Sequence, residues 1–537
     1  MRKTVSLLAL VPLALFASSC TPDGPDPVPI TPPQLAVVVV VDQLTPELLE
    51  RYDGLWEGGF RTILDRGQSF PRAVHDHAIT FTSPGHASPV TGVIPARHGI
   101  VGNSWREWRD GEWQSVSSVA DPDTETIGGS GSGSSPHNLL VDGLPDWIVE
   151  AHDEARVVSL SGKSTAGVLM GGQAGGGRDA LDRTHVYWFS TGAEGFVTSS
   201  WYRDELPDWV SGFNATVIDR FGSEPCWEDD LPPEWAEQSR RDEVEYESDG
   251  VHTHFPHCIT DEPFRDAAHF ISRTPRLDEA TLALAREAVV DLELGARGAP
   301  DYLAIALSGT DRVGHEYGPF SREQLVNLVT LDRALGDFLE FLDETIGEER
   351  YVVGFTSDHG VLPLPEYLEE RGDFGLRLTG ELTEAYETAV ARVGTETGPE
   401  HQGEEVEEAR RQLAGLLEEV EWIEAGMTLE ELASDAPADS FLTLYRNSFH
   451  PERLSTRQAR WGVETRLTEG VLVRSSGTTH GVPYLHDRAV PLIFMGTGVP
   501  PGEMGGSART LDLAPSMAEL LGIPVPEGLD GRSILVR

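Results

Sequence analysis

The chain has 537 residues, and its 88 acidic against 41 basic side chains give a formal charge of −47. That surplus excludes a nucleic-acid scaffold, because a phosphate backbone is held by a basic surface. The acid is concentrated in residues 227–249 and 366–431. It reads as a solvated surface, one that would slow an anionic ligand unless cations dominate its cleft.

Arg2 and Lys3 precede an apolar run at 5–16 and then Ala17-Ser18-Ser19-Cys20. This is the pattern of a signal peptide over residues 1–20, and the run is too short to span a bilayer. Small residues ending at one cysteine resemble a bacterial lipoprotein signal with an acylated Cys20. Ala17 stands where Leu is commoner, so plain secretion with a free Cys20 is the alternative. Residues 21–34, rich in Pro and Asp, read as an extended tether. The expected location is outside the cytoplasm, in the periplasm or as a cell-surface or outer-membrane lipoprotein, touching membrane only through a lipid on Cys20. In an oxidising compartment Cys226 and Cys258 form an even pair, expected to make one disulfide; two free thiols are the alternative.

Apolar runs at 35–41, 157–160, 302–307, 351–355 and 490–495 read as buried strands. Stretches at 46–50, 277–295, 322–344, 404–419 and 513–521 read as helices. The alternation predicts an α/β fold with a mainly parallel central sheet flanked by helices. Residues 128–135, rich in Gly and Ser, read as a flexible loop. Two segments break the alternation. About 170–275, with many Trp, His, Pro and acidic residues, reads as an inserted cap, and about 366–470 as an acidic helical insertion. Residues 35–537 are otherwise taken as a single domain.

Most candidate ligands follow buried strands, where open α/β sheets place their sites. Asp42 ends a valine run; a carboxylate leaving such a strand needs a cation or a capping role, and Thr45 suits the cap better. Thr82-Ser83-Pro84 reads as a helix start with Thr82 or Ser83 as its cap. A hydroxyl there faces free N–H groups and the positive end of the helix dipole. It is a nucleophile where a metal lowers its pKa, and a plain cap otherwise. Asn103 offers an amide to an oxyanion. Asp311 and His315, four apart on a helix, can share a metal. Asp358 and His359 follow the strand at 351–355, and His480 lies beside Gly481. Three carboxylates and three imidazoles are enough for two divalent cations, which points to hydrolysis of a phosphoryl-type group.

Taken together, Asp42, Thr82-Ser83-Pro84-Gly85-His86, Asp311-x-x-Gly314-His315, Ser357-Asp358-His359-Gly360 and Thr479-His480-Gly481 resemble the alkaline phosphatase superfamily. Within it they look most like the type I phosphodiesterase/nucleotide pyrophosphatase group and the phosphate-irrepressible alkaline phosphatases with a Thr nucleophile. The resemblance runs from about residue 35 to the closing segment Leu529-Asp530-Gly531-Arg532-Ser533. It implies small-molecule phosphate esters as substrates and two Zn2+ per chain. Asp311, His315 and His480 would hold one ion. Asp42, Asp358 and His359 would hold the other, with Thr82 Oγ bound to it. Thr82 would form a phospho-threonine, and Asn103 would bind a non-bridging oxygen. Lys163 matches a lysine that the phosphate-irrepressible enzymes aim at phosphate, whereas Thr165 stands where they carry an Arg. The remaining cation favours monoester hydrolysis, with phosphodiesterase or nucleotide pyrophosphatase activity as the alternative. Residues 185–189 and 196–198 are expected to line the leaving-group side. A sulfatase is set apart because Thr82 cannot become formylglycine. A non-catalytic binding module would have lost a ligand or Thr82. The oligomeric state stays open.

Overall fold

The computed structural model describes residues 32–173 and 183–536. The expected signal peptide, Cys20 and residues 21–31 of the tether lie outside the described residues. Pro32–Arg537 form one compact unit.

Its spine is an eleven-stranded sheet. In chain order the strands are β1 (Leu35–Val41), β2 (Gly67–Ser69), β3 (Ala120–Ile127), β4 (Ser132–Ser134), β5 (Val157–Ser161), β6 (Thr184–Ser190), β7 (Gly195–Ser199), β8 (Asp301–Leu307), β9 (Tyr351–Thr356), β10 (Leu492–Gly496) and β11 (Gly502–Glu503). Across the sheet they run β11-β2-β10-β9-β1-β8-β5-β6-β7-β3-β4. From β9 to β6 all neighbours are parallel. On the two flanks β10, β7, β3 and β4 pair antiparallel. The sheet is therefore mixed, and only its centre has the expected parallel order. The short turn between β6 and β7 can join only antiparallel neighbours, since a parallel pair needs a crossover of a dozen or more residues.

Every residue of β1 is fully buried, which suits a run of β-branched side chains covered on both faces. Val37, Val39 and Val41 pack on the side of helices Arg276–Asp291 and Arg322–Thr345. Val38 and Val40 face the other layer, which includes helix Leu513–Leu521. Each such valine contributes roughly 1.5–3 kcal/mol. The strand is thereby held rigidly enough to aim whatever follows Val41.

Two sequence expectations change. Residues 128–135 are not a free loop, because Ser132–Ser134 pairs with β3. The segment read as a cap contributes β6 and β7 to the sheet, so the part lying off the sheet begins after Ser199. Val186, Tyr187 and Phe196 are accordingly fully buried in these strands. The acidic insertion has an apolar core of its own, where Trp461 stacks on Tyr386 at 4.2 Å beside Leu382, Leu413 and Leu417. Cys226 and Cys258 face each other on a two-stranded ladder and are joined by a disulfide. No helix among the described residues is long and apolar enough to cross a membrane.

Candidate active site

The parallel strands deliver their following residues to one edge of the sheet, and the expected site residues meet there. Asp42 follows β1, Lys163 follows β5, and Asp358 and His359 follow β9. Helix α1 (Thr82–Thr91) brings Thr82. Helix α2 (Gly309–Tyr317), just after β8, carries Asp311 and His315 one turn apart. His480 arrives on a loop and stacks on His359, ring centres 3.5 Å apart.

Hydrogen bonds aim the three imidazoles. His315 Nδ1 donates to Thr478 O (2.8 Å), His359 Nδ1 to Gly360 O (2.9 Å) and His480 Nδ1 to Thr80 O (2.7 Å). With the proton fixed on Nδ1, each Nε2 keeps its lone pair, the state a metal takes. Those lone pairs converge on carboxylates. His315 Nε2 is 3.1 Å and His480 Nε2 3.7 Å from Asp311 Oδ1. His359 Nε2 is 3.4 Å from Asp42 Oδ1 and 3.2 Å from Asp358 Oδ2.

The donor set fits divalent cations. Asp42 Oδ1, Asp358 Oδ2 and His359 Nε2 are buried polar atoms with no hydrogen-bond partner, an arrangement that is costly unless a cation completes it. Asp311, His315 and His480 offer ligand atoms within 4.8 Å of one another, and so do Asp42, Asp311 and His359. Asp311 thus reaches both groups. Asp358 turns Oδ1 to Gln43 N (3.1 Å).

Charge is balanced tightly. Lys163 Nζ donates to Asp42 Oδ2 and, at 2.5 Å, to Asp311 Oδ2. Burial pushes the Asp42 carboxyl well above its ordinary range, and Asp311 and Asp358 push the same way against Lys163. Burial raises Asp311 and Asp358 as well. At Asp311, however, His315 and Lys163 outweigh it, and at Asp358 so do His359 and His86, so both stay below the usual carboxylate range. Burial holds His480 and His359 below theirs.

Thr82 is the first residue of its helix rather than the cap. Phe81, extended at φ −94° and ψ 160°, takes the capping position. Thr82 is 4% exposed, at the positive end of a ten-residue helix. Asn103 sits beside it, accepting from Ser83 N at 2.8 Å through Oδ1. That leaves the Nδ2 donors of its exposed side chain available. Thr165, where a second cation was sought, lies half-buried on the helix Ser164–Met170.

Two residues had no role assigned from the sequence. His86 Nδ1 lies 2.9 Å from Thr82 O and 3.2 Å from Asp358 Oδ2, tying the helix start to a carboxylate of the site. Gln43 bridges Asp358 and Asp311. Gln43 adjoins Asp42 and His86 closes the motif that begins at Thr82, but only the folded chain reveals their partners. Gly85, inside the same motif, is explained by close approach: a Cβ there would meet Asp358 O at 2.1 Å.

Known proteins share this arrangement of chain. Alkaline phosphatase PhoV of Synechococcus elongatus is 28% identical over 569 residues, covering 99% of both chains. Alkaline phosphatase PafA of Elizabethkingia meningoseptica is 29% identical over 529 residues, 94% of each. A crystal structure of wild-type alkaline phosphatase PafA superposes with a TM-score of 0.84 at 27% identity, covering 94% of this chain and 99% of that one. The family model for type I phosphodiesterase / nucleotide pyrophosphatase matches residues 36–460, a span that begins on β1 and contains Thr82 and five of the six candidate ligands. The strand-end carboxylates, the helix-borne Thr82 and that match lead to one assignment: the chain belongs to the type I phosphodiesterase/nucleotide pyrophosphatase family.

Proposed function

We propose that the chain is a metal-dependent phosphate-monoester hydrolase of the alkaline phosphatase type, acting through a phospho-threonine. The carrying observation is that Asp311, His315 and His480 form one group of ligand atoms and Asp42, Asp311 and His359 another, with Asp358 against His359 and His86 in contact with both Asp358 and the Thr82 backbone. The chemistry of the donors suits two Zn2+ ions. Asp311, His315 and His480 would hold one, and Asp42, Asp358 and His359 the other, with Thr82 Oγ. Bound there, the ions would lower the pKa of the Thr82 hydroxyl and neutralise charge on the phosphoryl oxygens.

The chain's own residues do the rest. Thr82 Oγ loses its proton and forms the bond to phosphorus while the ester oxygen leaves with its bonding pair and takes up a proton. Water then cleaves the Thr82–phosphorus bond and releases phosphate. The helix dipole at Thr82 favours the anion formed there. Asn103, with Oδ1 committed to Ser83 N, presents Nδ2 to a non-bridging oxygen. Lys163 supplies a cation for the extra charge of a monoester dianion, which supports monoesters over diesters. Small phosphate esters are the substrates, and export from the cytoplasm fits the basic-apolar start at Arg2.

The test is Thr82→Ala. Turnover of p-nitrophenyl phosphate should fall at least a thousand-fold (roughly 4 kcal/mol), while the zinc-loaded variant still carries two ions by elemental analysis. Activity within tenfold of wild type would overturn the nucleophile.

A further inference from the structure

We infer that Gln43 is a positioning residue that holds the Asp311 carboxylate in place for the metal ion shared with His315 and His480. The inference rests on the two-metal reading above and adds a residue to it.

Gln43 is fully buried between the two metal groups. Its backbone sits at φ 71°, a left-handed conformation that side chains other than glycine seldom take. That twist lets one residue serve two carboxylates. The backbone N–H donates to Asp358 Oδ1 at 3.1 Å, and the side-chain Nε2 donates to Asp311 Oδ1 at 2.8 Å. The amide orientation follows from its partner, because a carboxylate only accepts.

A carboxylate that shares a metal with two imidazoles must be turned correctly before the ion arrives, and donors behind such ligands commonly fix that turn. Asp311 has no other neutral side-chain donor among the hydrogen bonds of the described residues; its remaining neighbours are Lys163 and the two imidazoles. Gly314 belongs to the same device. A Cβ at position 314 would lie 1.8 Å from Gln43 Oε1, so any larger residue on the helix that carries Asp311 and His315 would displace this amide from its place beside Asp311. The glycine between Asp311 and His315 thereby acquires a reason beyond helix propensity: it admits the group that steadies Asp311.

The test uses the full chain, stripped of metal and titrated with zinc, with release to a chromogenic chelator followed in time. Gln43→Met keeps the length of the side chain and removes the donor. Gly314→Ala leaves the donor but pushes it away from Asp311. In wild type two ions should bind. In both variants one of the two should leave 10–100 times faster, the other staying within about threefold of its wild-type rate, with the melting temperature of the metal-free chain little changed. Cobalt in place of zinc should show the same selective change, in the absorption of one site only. Wild-type release of both ions from both variants overturns the role of Gln43. So does equal loss of both ions accompanied by a fall in melting temperature, which marks a merely structural residue. Fewer than two ions in wild type overturns the two-metal reading itself.

Discussion

The Cys226–Cys258 bridge closes a loop that grips, from outside, the elements carrying the candidate ligands His315 and His480. From inside this loop Arg240 N donates to Phe320 O and Arg240 Nη2 to Tyr317 O, both at 2.7 Å, and Ser248 N donates to Glu316 O at 2.7 Å. Gly477 N, three residues before His480, donates to Tyr246 O at 2.9 Å. A buried Arg240–Glu247 ion pair and the contact of His257 Nε2 with Glu323 Oε1 (3.0 Å) hold the loop to itself and to the next helix. The loop therefore fastens the end of helix Gly309–Tyr317, just past His315, and the turn that leads into His480. With a sequence separation of 32, the chain-entropy relation gives about 3.7 kcal/mol for the cross-link. Converted at about 1.4 kcal/mol per decade, local opening of the loop in Cys226→Ser/Cys258→Ser should rise a few hundred-fold. Hydrogen exchange of the zinc-loaded chain reads this directly in residues 226–258. Residues 309–317 should follow with a smaller loss of protection, and zinc held by Asp311, His315 and His480 should be released faster. The double variant is preferable to a thiol reductant, which would itself bind zinc. Protection in 226–258 within about threefold of wild type would refute the stabilisation. Faster exchange there with unchanged protection in 309–317 would refute the mechanical link.

Three other outcomes can be measured. Lys163→Met removes a charge-assisted contact worth roughly 1.5–3 kcal/mol. It should lower kcat/KM for a monoester about 10–100-fold and for a bis-ester distinctly less, the bis-ester loss reflecting the contacts of Lys163 with Asp42 and Asp311; equal losses would show that Lys163 does not select between them. His98 accepts from Ile100 N through Nδ1 (3.1 Å) and meets Ser88 Oγ through Nε2 (3.0 Å), so its folded state is neutral, and burial followed by Arg453 lowers its pKa to about 3. Because the unfolded imidazole takes a proton near pH 6.5 and the folded one does not, stability is full above that pH and falls below it, by about 2 kcal/mol at pH 5. Denaturant titrations at pH 8 and pH 5 should lose that component in His98→Gln, and an unchanged acid loss would contradict it. Gly85→Ala must drive a methyl against Asp358 O, 2.1 Å from the ideal Cβ, so helix Thr82–Thr91 shifts and kcat should drop at least tenfold. A variant with wild-type kcat would show that Thr82 tolerates the displacement.

What could be read beforehand and what could not divides on a physical line. The meeting of Asp42, Asp311 and Asp358 was legible because each ends or closely follows a buried strand, and the carboxyl edge of parallel strands gathers such residues whatever else the chain does; Lys163 was legible only through the family resemblance of its segment. Thr82 was legible through Pro84, which marks a helix start. Its exact place was not, because Phe81, an unusual cap, takes the extended position on account of packing rather than side-chain chemistry. The antiparallel flanks were missed for a related reason. The aromatic and histidine content of residues 184–199 suggested a cap, yet alternation of side chains across a pleat reports only that a strand exists, never which neighbour it pairs with. Gln43 shows the limit most sharply. Its two carboxylate partners lie 268 and 315 positions away, and nothing local marks it, since Gln after Asp is unremarkable in a turn. The glycine that makes room for it reads locally as a weak point in a helix. Residues that bind can be recognised by type and spacing; residues that hold the binders still are defined by contacts across the sheet, and these come into being only when β1, β8 and β9 lie side by side.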